Sequence, residues 1–386
     1  MTYLITLQYY VVLILGLISV CIAISNSFFL KKLIVKKTRL NKDIIISVLI
    51  PARNEEDKIS QCLDSLISQT YANLEIIVLD DNSDDETAGI VSRFMEDDKR
   101  VKLIHGEELP LGWGGKNWAC HQLYNSANGE YILFLDADTI FQKDTIASAI
   151  HESVSNNIDL LTLIPKRPPK SIVELAMFPF MNWAIFSWLP IKIAHNFNNS
   201  YLSATFGQFM LFKKESYSHI GGHEEVRDNA IDDFQLGRFI KKSGLKWMLL
   251  DGTEMVESMP YKNTIDALNG ISRSVFPALN YSISVLFIFS ILLVCLTFIP
   301  LMTVGYGLIG VVGNGEYWTI SVLSLFIFLI SWTLSCRRFH YSLFLIPFFP
   351  ICVGVMIIVA YHSMLSTIFK TTIWKERNIS SRKLRF

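Results

Sequence analysis

Cysteine is scarce and unpatterned in this chain: six residues, with no CxxC pair and no metal-ligand spacing. That leaves no disulfide framework and no zinc site to be read from sequence, and it fits a reducing compartment. Cys21, Cys295 and Cys352 fall in apolar runs, where Cys acts as a small hydrophobe, while Cys62 and Cys120 fall in predicted helices. Net charge is absent too. Lys+Arg and Asp+Glu stand at 35 each, so no field of one sign points to nucleic acid or to an acidic partner. Charge of either sign is thin, 18% against 51% hydrophobic residues, which is too apolar for a purely water-soluble chain. Internal repeats and low-complexity linkers are missing as well.

Long apolar runs stand in their place, gathered at both ends. Leu7–Leu30 and Tyr281–Gly315 carry no charged residue; Trp318–Cys336 and Ser342–Phe369 are uncharged apart from His362. About 20 apolar residues cross a bilayer, so each run is long enough for a transmembrane helix. The first lacks a basic n-region and is long for a signal-peptide core, which predicts an N-terminal transmembrane helix within residues 1–30. Lys31, Lys32, Lys36, Lys37, Arg39 and Lys42 follow directly, and such a run places the next region in the cytoplasm. The tail over residues 370–386 is also basic, at Lys370, Lys375, Arg377, Arg382, Lys383 and Arg385. Four simple spans would put that tail outside, against the same rule. Either one segment is re-entrant or Tyr281–Gly315 crosses in a broken fashion at Pro300. The expectation is a multi-pass protein of the cell membrane, with about three spans in residues 281–369.

Between residues 43 and 260 short apolar runs alternate with helical stretches. Strands are predicted at Ile44–Ile50, Leu74–Leu79, Val101–Ile104, Tyr131–Leu135 and Asp159–Leu163, and helices at Glu55–Gln69, after Asp84–Glu86, at Asn117–Ala127 and at Asp144–Val154. Alternation of this kind implies βαβ units, an α/β fold and a mostly parallel sheet. The sharpest signal is Tyr131–Thr139, YILFLDADT, an apolar strand running into Asp136 and Asp138. Open α/β sheets bind ligands beyond the carboxyl ends of their strands. In strand geometry residues i and i+2 share a face, so both carboxylates can address one Mg²⁺ or Mn²⁺ carrying phosphate. An isolated DxD reads equally well as a solvated turn. Two more strands end in polar clusters, Pro51-Ala52-Arg53-Asn54-Glu55-Glu56 and Asp80-Asp81-Asn82-Ser83-Asp84-Asp85-Glu86. Ser83–Glu86 reads as a helix cap, but Asp80 and Asp81 precede it and face the edge that carries Asp136.

PARNEE, then VLDDNSDDET, then GK, then DADT together resemble the family 2 glycosyltransferases of GT-A fold, a Rossmann-like architecture, over about Ser47–Leu250. The resemblance implies that Asp81 hydrogen-bonds the uracil of a UDP-sugar and that Ala52, Arg53 and Glu55 frame the nucleoside. It implies that Asp136 lies near ribose and sugar and that Asp138 ligates the metal. Gly112-Trp113-Gly114-Gly115-Lys116 is no Walker A motif and alone reads as a flexible turn before a helix. In the family, a GK here gives its lysine, Lys116, to the donor nucleotide, and the GWGGK form resembles membrane glycosyltransferases that modify carotenoids. Ile231-Asp232-Asp233-Phe234-Gln235-Leu236-Gly237-Arg238 resembles the family's EDxxLxxR, which makes Asp233 the general base and Asp232 the next candidate. The same two acids could simply cap a helix. Thr205-Phe206-Gly207-Gln208 and Gly221-Gly222-His223 resemble loops on the acceptor side. The QxxRW of processive synthases is reduced to Arg273 in Gly270-Ile271-Ser272-Arg273-Ser274, which favours a single transfer.

Ser171–Pro190 is apolar and aromatic, and a helix lying in the membrane interface is expected there, with Trp183 and Trp188 at headgroup level. A buried core helix is the alternative. The expected function is an inverting glycosyltransferase carrying one hexose from a UDP-sugar to a membrane lipid, with a carotenoid or other isoprenoid first. The rival acceptors are polyprenyl phosphate, diacylglycerol and a polysaccharide. A rival of another class is a transporter or non-catalytic scaffold with a nucleotide-binding domain, although the apolar runs lack the paired ionisable residues of substrate pathways.

Overall fold

A computed structural model describes residues 2–35, 44–311, 315–371, 373–374 and 377–378. Lys36, Lys37, Arg39 and Lys42 of the first basic run, and Lys375, Arg382, Lys383 and Arg385 of the tail, lie outside the described residues; of Arg377 only the backbone is described.

The chain opens with helix α1 (Thr2–Phe29) and enters an alternating domain: β1 (Ile46–Ala52), α2 (Ile59–Ile67), β2 (Leu74–Asp80), α3 (Thr87–Asp97), β3 (Val101–His105), α4 (Gly115–Ser126) and β4 (Tyr131–Phe134). It continues through β5 (Thr139–Phe141), α5 (Thr145–Ser155), β6 (Leu160–Ile164), α6 (Ile172–Trp188), α7 (Ile191–Asn196), β7 (Met210–Lys213) and α8 (Lys214–His219). Then come α9 (Asp232–Lys242), β8 (Trp247–Asp251), β9 (Val256–Ser258), α10 (Thr264–Ala278), α11 (Ile283–Leu308), α12 (Glu316–Arg338) and α13 (Phe349–Ile368). Seven strands form one sheet in the order β3-β2-β1-β4-β7-β6-β8, parallel except where β7 runs against β4 and β6. The mostly parallel sheet expected from sequence is present, because β1 and β2 are mainly apolar and buried on both faces. The order reverses between β1 and β4, the switch point where such sheets open a ligand crevice. β5 and β9 form a separate antiparallel ribbon.

Two differences from the sequence reading bear on the site. Helix α2 starts at Ile59, not Glu55, because the Glu55 and Glu56 amides donate across the crevice to Thr87 Oγ1 at 2.8 Å and Asp85 Oδ2 at 3.1 Å. β4 ends at Phe134, so Asp136 and Asp138 lie in a turn closed by the Thr139 amide on the Asp136 carbonyl, 3.1 Å. The shared-face strand geometry expected for the DxD pair is therefore not what places them.

Among the described residues, four helical stretches are long and apolar enough to span a bilayer: Ile5–Phe29, Ile283–Leu308, Glu316–Arg338 and Leu343–Ile368. α11 runs unbroken through Pro300, so the broken crossing expected there is not present. α6 does not lie on the outside of this bundle. Trp183 is buried, donates to Ser331 Oγ at 2.9 Å and packs edge-on against Phe328, Trp332 and Phe349. The headgroup position expected for Trp183 is corrected to the bundle interior, and its indole N–H finds a serine there rather than water. The bundle and one face of the sheet share a contiguous core that runs from Leu49, Ile132 and Phe134 through Met177 and Phe186 to Trp332 and Val353. The opposite sheet face packs Ile46, Val48 and Ile50 on α2 and α5.

Polar clasps fix the bundle to the domain. Asn26 of α1 donates to the Phe186 and Leu189 carbonyls and accepts from the Ile191 amide. Arg338, at the end of α12, pairs with buried Asp251 of β8 at 2.7 Å and donates to the Leu30 carbonyl at 2.5 Å. Removing one partner of a buried pair strands the other charge, at about 3–5 kcal/mol. Arg338→Ala is expected to lower the melting temperature of the detergent-solubilised protein strongly, with partial recovery when Asp251→Asn is added. An unchanged melting temperature in Arg338→Ala would refute the clasp.

Candidate active site

The parallel pairing of β1 with β2 sets Ala52 against Asp80 in register and brings both polar strand ends to one rim. Arg53 donates through Nη1 to the carbonyls of Asp81, at 2.5 Å, and Asn82, at 2.7 Å. Asn54 and Asn82 adopt φ of 51° and 53°, left-handed backbone that asparagine tolerates better than most residues. Asn54 also accepts the Asp84 amide and donates its own to Ser83 Oγ. Ala52, Arg53, Glu55, Asp80 and Asp81 are thus gathered as the sequence implied. Arg53 and Glu55 act partly as braces that shape the Asp81 loop. Asp80 accepts weakly from the Ser83 amide at 3.4 Å, and its Oδ1 is buried without a partner.

Asp136 and Asp138 take separate partners. Asp136 Oδ1 pairs with Lys116 Nζ at 2.8 Å, and its Oδ2 accepts from Gln208 Nε2 at 3.1 Å. Asp138 Oδ2 lies 3.4 Å from Lys58 Nζ, while its Oδ1 is buried with no hydrogen-bond partner. Burial, reinforced by the charge of Asp136, pushes the Asp138 carboxyl up to about 6. A buried orphan oxygen on a carboxyl that resists ionisation is what a divalent cation would satisfy, so the residues fit a metal here. No group of three or more His, Cys, Asp or Glu side chains suited to a metal occurs among the described residues. The remaining ligands would be water and phosphate, as Mg²⁺ usually has.

β7, which the sequence reading missed, completes the site. It runs antiparallel to β4, so its approach segment Phe206-Gly207-Gln208 arrives at the edge where β4 leaves. A Cβ on Gly207 would sit 3.3 Å from Lys116 Nζ, 3.5 Å from Asp136 Oδ2 and 3.6 Å from Asp233 Oδ2. One glycine thus marks the point where the three sequence-predicted groups meet. The Gly207 amide donates to Asp233 Oδ2 at 3.1 Å, and the Phe234 amide of α9 donates to Asp233 Oδ1 at 2.8 Å.

The adjacent acids of α9 have opposite electrostatic fates. Burial raises Asp233 to about 7, and the charge of Asp232 adds to the shift. Burial works the same way on Asp232, but Lys116 and the hydrogen bond from His223 outweigh it and hold Asp232 at about 2. His223 is fully buried; its Nε2 lies 3.3 Å from Asp232 Oδ2 and its Nδ1 2.6 Å from Tyr217 Oη. Tyr217 Oη also accepts the His223 amide at 2.9 Å, so its proton is free for Nδ1, which leaves Nε2–H to donate to Asp232. Asp232 is a pinned anion turned toward the interior, and Asp233 a carboxyl poised near neutrality. Lys116 stays protonated: burial disfavours its charge, but Asp136 and Asp232 more than compensate. The sequence reading missed Lys58, whose lysine in PARNEEDK looks like an ordinary polar residue at a helix start, and the Tyr217–His223 link, which spans six positions.

Residues 47–221 match the model of glycosyl transferase family 2. The 4,4'-diaponeurosporenoate glycosyltransferase of Staphylococcus aureus (strain USA300) is 28% identical over 229 residues, 58% of either chain, so the match spans little more than half of that relative. Among solved structures, the mannosyltransferase PcManGT from Pyrobaculum calidifontis, in complex with GDP-Man and Mn²⁺, superposes with a TM-score of 0.50 at 15% identity. The alignment covers 91% of this chain and 99% of that one, a likeness of fold. The chain therefore carries a family 2 glycosyltransferase domain of GT-A fold at residues 47–221.

Proposed function

We propose that this protein is an inverting glycosyltransferase that moves one hexose from a UDP-sugar to a membrane lipid, with a carotenoid or other isoprenoid as first choice. The convergence of Lys116, Asp136 and Asp233 on Gly207 carries the reading, because it sets a phosphate-binding charge and a carboxyl that titrates near 7 around one point. The carotenoid substrate named for the relative supports a lipid acceptor, and the nucleotide sugar bound by PcManGT supports the donor class. In this reading Asp81 addresses the uracil, and Lys116 lies against the diphosphate as a mobile point charge. Asp138, with Asp136, would hold Mg²⁺ or Mn²⁺, which supplies Lewis-acid stabilisation of the leaving diphosphate when bound. Asp233 takes the proton of the acceptor hydroxyl while its oxygen bonds to the anomeric carbon, whose bond to UDP breaks in the same displacement. A carboxylate acceptor would arrive already ionised and would need Asp233 less. The absence of Gln and Trp around Arg273 supports one transfer rather than chain growth. Lys31 and Lys32, directly after α1, support a catalytic domain on the cytoplasmic side of the cell membrane.

Asp138→Asn is expected to abolish transfer and the stimulation of UDP-sugar binding by Mn²⁺, read by isothermal titration. Retained metal stimulation would move the cation elsewhere. Asp233→Asn should slow transfer to a hydroxyl acceptor by roughly 10²-fold or more with little change in UDP affinity.

The same variant has a stability signature. A carboxyl raised to about 7 in the folded state, against about 3.9 unfolded, binds its proton more tightly when folded. Its stabilisation is full below about pH 4 and is lost as pH rises through 7. Asp233→Asn should therefore melt higher than the parent at pH 8, with the gain fading toward pH 4. A gain independent of pH would contradict the shifted carboxyl.

Orientation is tested at exposed Asn125 of α4. Asn125→Cys should resist membrane-impermeant thiol reagents in intact cells and react after lysis; labelling of intact cells would reverse the topology.

A further inference from the structure

Arg167 takes no part in the donor or base machinery, yet it is a buried cation with no anionic partner among the described residues. It lies three residues beyond β6, which runs parallel to β4, so it emerges at the edge that carries Asp136 and Asp138. Arg167 is 9% exposed. Its Nη2 donates to Asn182 Oδ1 of α6 at 2.7 Å, and Asn182 in turn donates to Tyr341 Oη at 3.1 Å. The guanidinium lies 5.1 Å from the ring centre of Phe178 and 5.5 Å from that of Phe206. Its Nε is buried with no hydrogen-bond partner, and no carboxylate pairs with it among the described residues. Burial pulls its pKa below the usual arginine value, and the titratable groups that bear on it are two phenols, Tyr341 and Tyr261, which burial keeps neutral. A desolvated guanidinium backed by one amide and two aromatic rings is costly unless something negative arrives.

The walls indicate from which side it arrives. Phe178 and Asn182 belong to α6, which is embedded in the apolar bundle, and Tyr341 follows α12. Phe206 is the chain neighbour of Gly207, whose amide holds Asp233. Arg167 therefore stands where the bundle meets the strand-end edge, next in space to the Phe206-Gly207 segment that holds Asp233. Its unpartnered Nε–H belongs to a planar guanidinium, a donor geometry that suits an oxyanion.

We propose that Arg167, backed by Asn182 and Tyr341, is the binding point for the oxyanion head, carboxylate or phosphate, of an isoprenoid acceptor. The proposal rests on the lipid-acceptor reading above and narrows it to the ionised acceptor, the case in which Asp233 is needed less for proton removal: an acidic lipid rather than a neutral alcohol. Phe178 and Phe206 flank the head, and the polyene or polyprenyl chain runs into the bundle.

The test uses the full chain in nanodiscs and three probes on C20 isoprenoid chains: retinoic acid, retinol and geranylgeranyl phosphate, with binding read by quenching of tryptophan fluorescence. The parent should bind retinoic acid or geranylgeranyl phosphate at least about tenfold tighter than retinol, the worth of a charge-assisted hydrogen bond or more. The tighter of the two identifies carboxylate or phosphate as the source. Arg167→Gln should bring that anion down to the level of retinol, a loss of about 10–100-fold, with retinol and UDP affinities and the melting temperature unchanged. Equal affinity of all three probes in the parent, or a parallel loss of all three in the variant, would overturn the proposal. Should Arg167→Gln fail to fold, Arg167→Lys keeps the charge without the planar guanidinium and must still weaken the anion more than retinol. Selective anion binding without sugar transfer from UDP-sugars to any probe would sink the transferase reading and leave this site standing. Transfer without selectivity for the anions would do the reverse.

Discussion

One ammonium group sets the electrostatics of the crevice. Lys116 stands at the start of α4, where the helix dipole disfavours a cation, and it is kept there by Asp136 at 2.8 Å. The charge then does three things at once. It fixes Asp136 beside the Gln208 amide, it lets Asp232 stay ionised in a buried position, and it offsets part of the burial cost of Asp233. Asp233 is left as the acid the lysine does not fully neutralise, because Asp232 already claims the hydrogen bond from His223. Adjacent identical residues in one helix turn thus acquire different chemistry from their surroundings, which is how a carboxyl becomes useful near neutral pH.

The second constraint is mechanical. The sheet face under β4 and the apolar helices share one core, and the clasps at Asn26 and at Arg338–Asp251 tie α1, α6 and α12 to the strands. A domain joined to its helices by a mobile linker could not hold the two in a fixed register. Here α6 penetrates the bundle and presents Phe178 and Asn182 to the strand-end edge, so the apolar bundle and the polar candidate site meet on packed elements.

Much of this was legible in the sequence, for physical reasons. β1, β2 and β4 are buried on both faces, so their apolar runs stand out, and the polar residues that stop them gather at the candidate site. The spans were legible because bilayer length and near absence of charge leave little else for such runs to be. What escaped was non-local. β7 has only four residues, and its antiparallel insertion gives no periodicity to detect, yet it delivers Gly207. The start of α2 was misplaced because amides on Glu55 and Glu56 bond to a partner loop about 30 residues away. α6 carries the aromatics of an interfacial helix, and only its packing against α12 and α13 shows Trp183 to be interior. Arg167 looks like one basic residue in a proline-rich stretch; its isolation becomes visible only once the fold surrounds it with Phe178, Phe206 and Asn182.

The proposed single displacement assisted by Asp233 would commit the chemistry to one stereochemical outcome, whatever the acceptor proves to be. The most direct measurement is the anomeric configuration of the glycolipid formed from a UDP-α-hexose, read from the coupling constant of its anomeric proton. The account predicts a β-linked product carrying one sugar. An α-linked product would contradict the displacement by an activated acceptor, and with it the role given to Asp233.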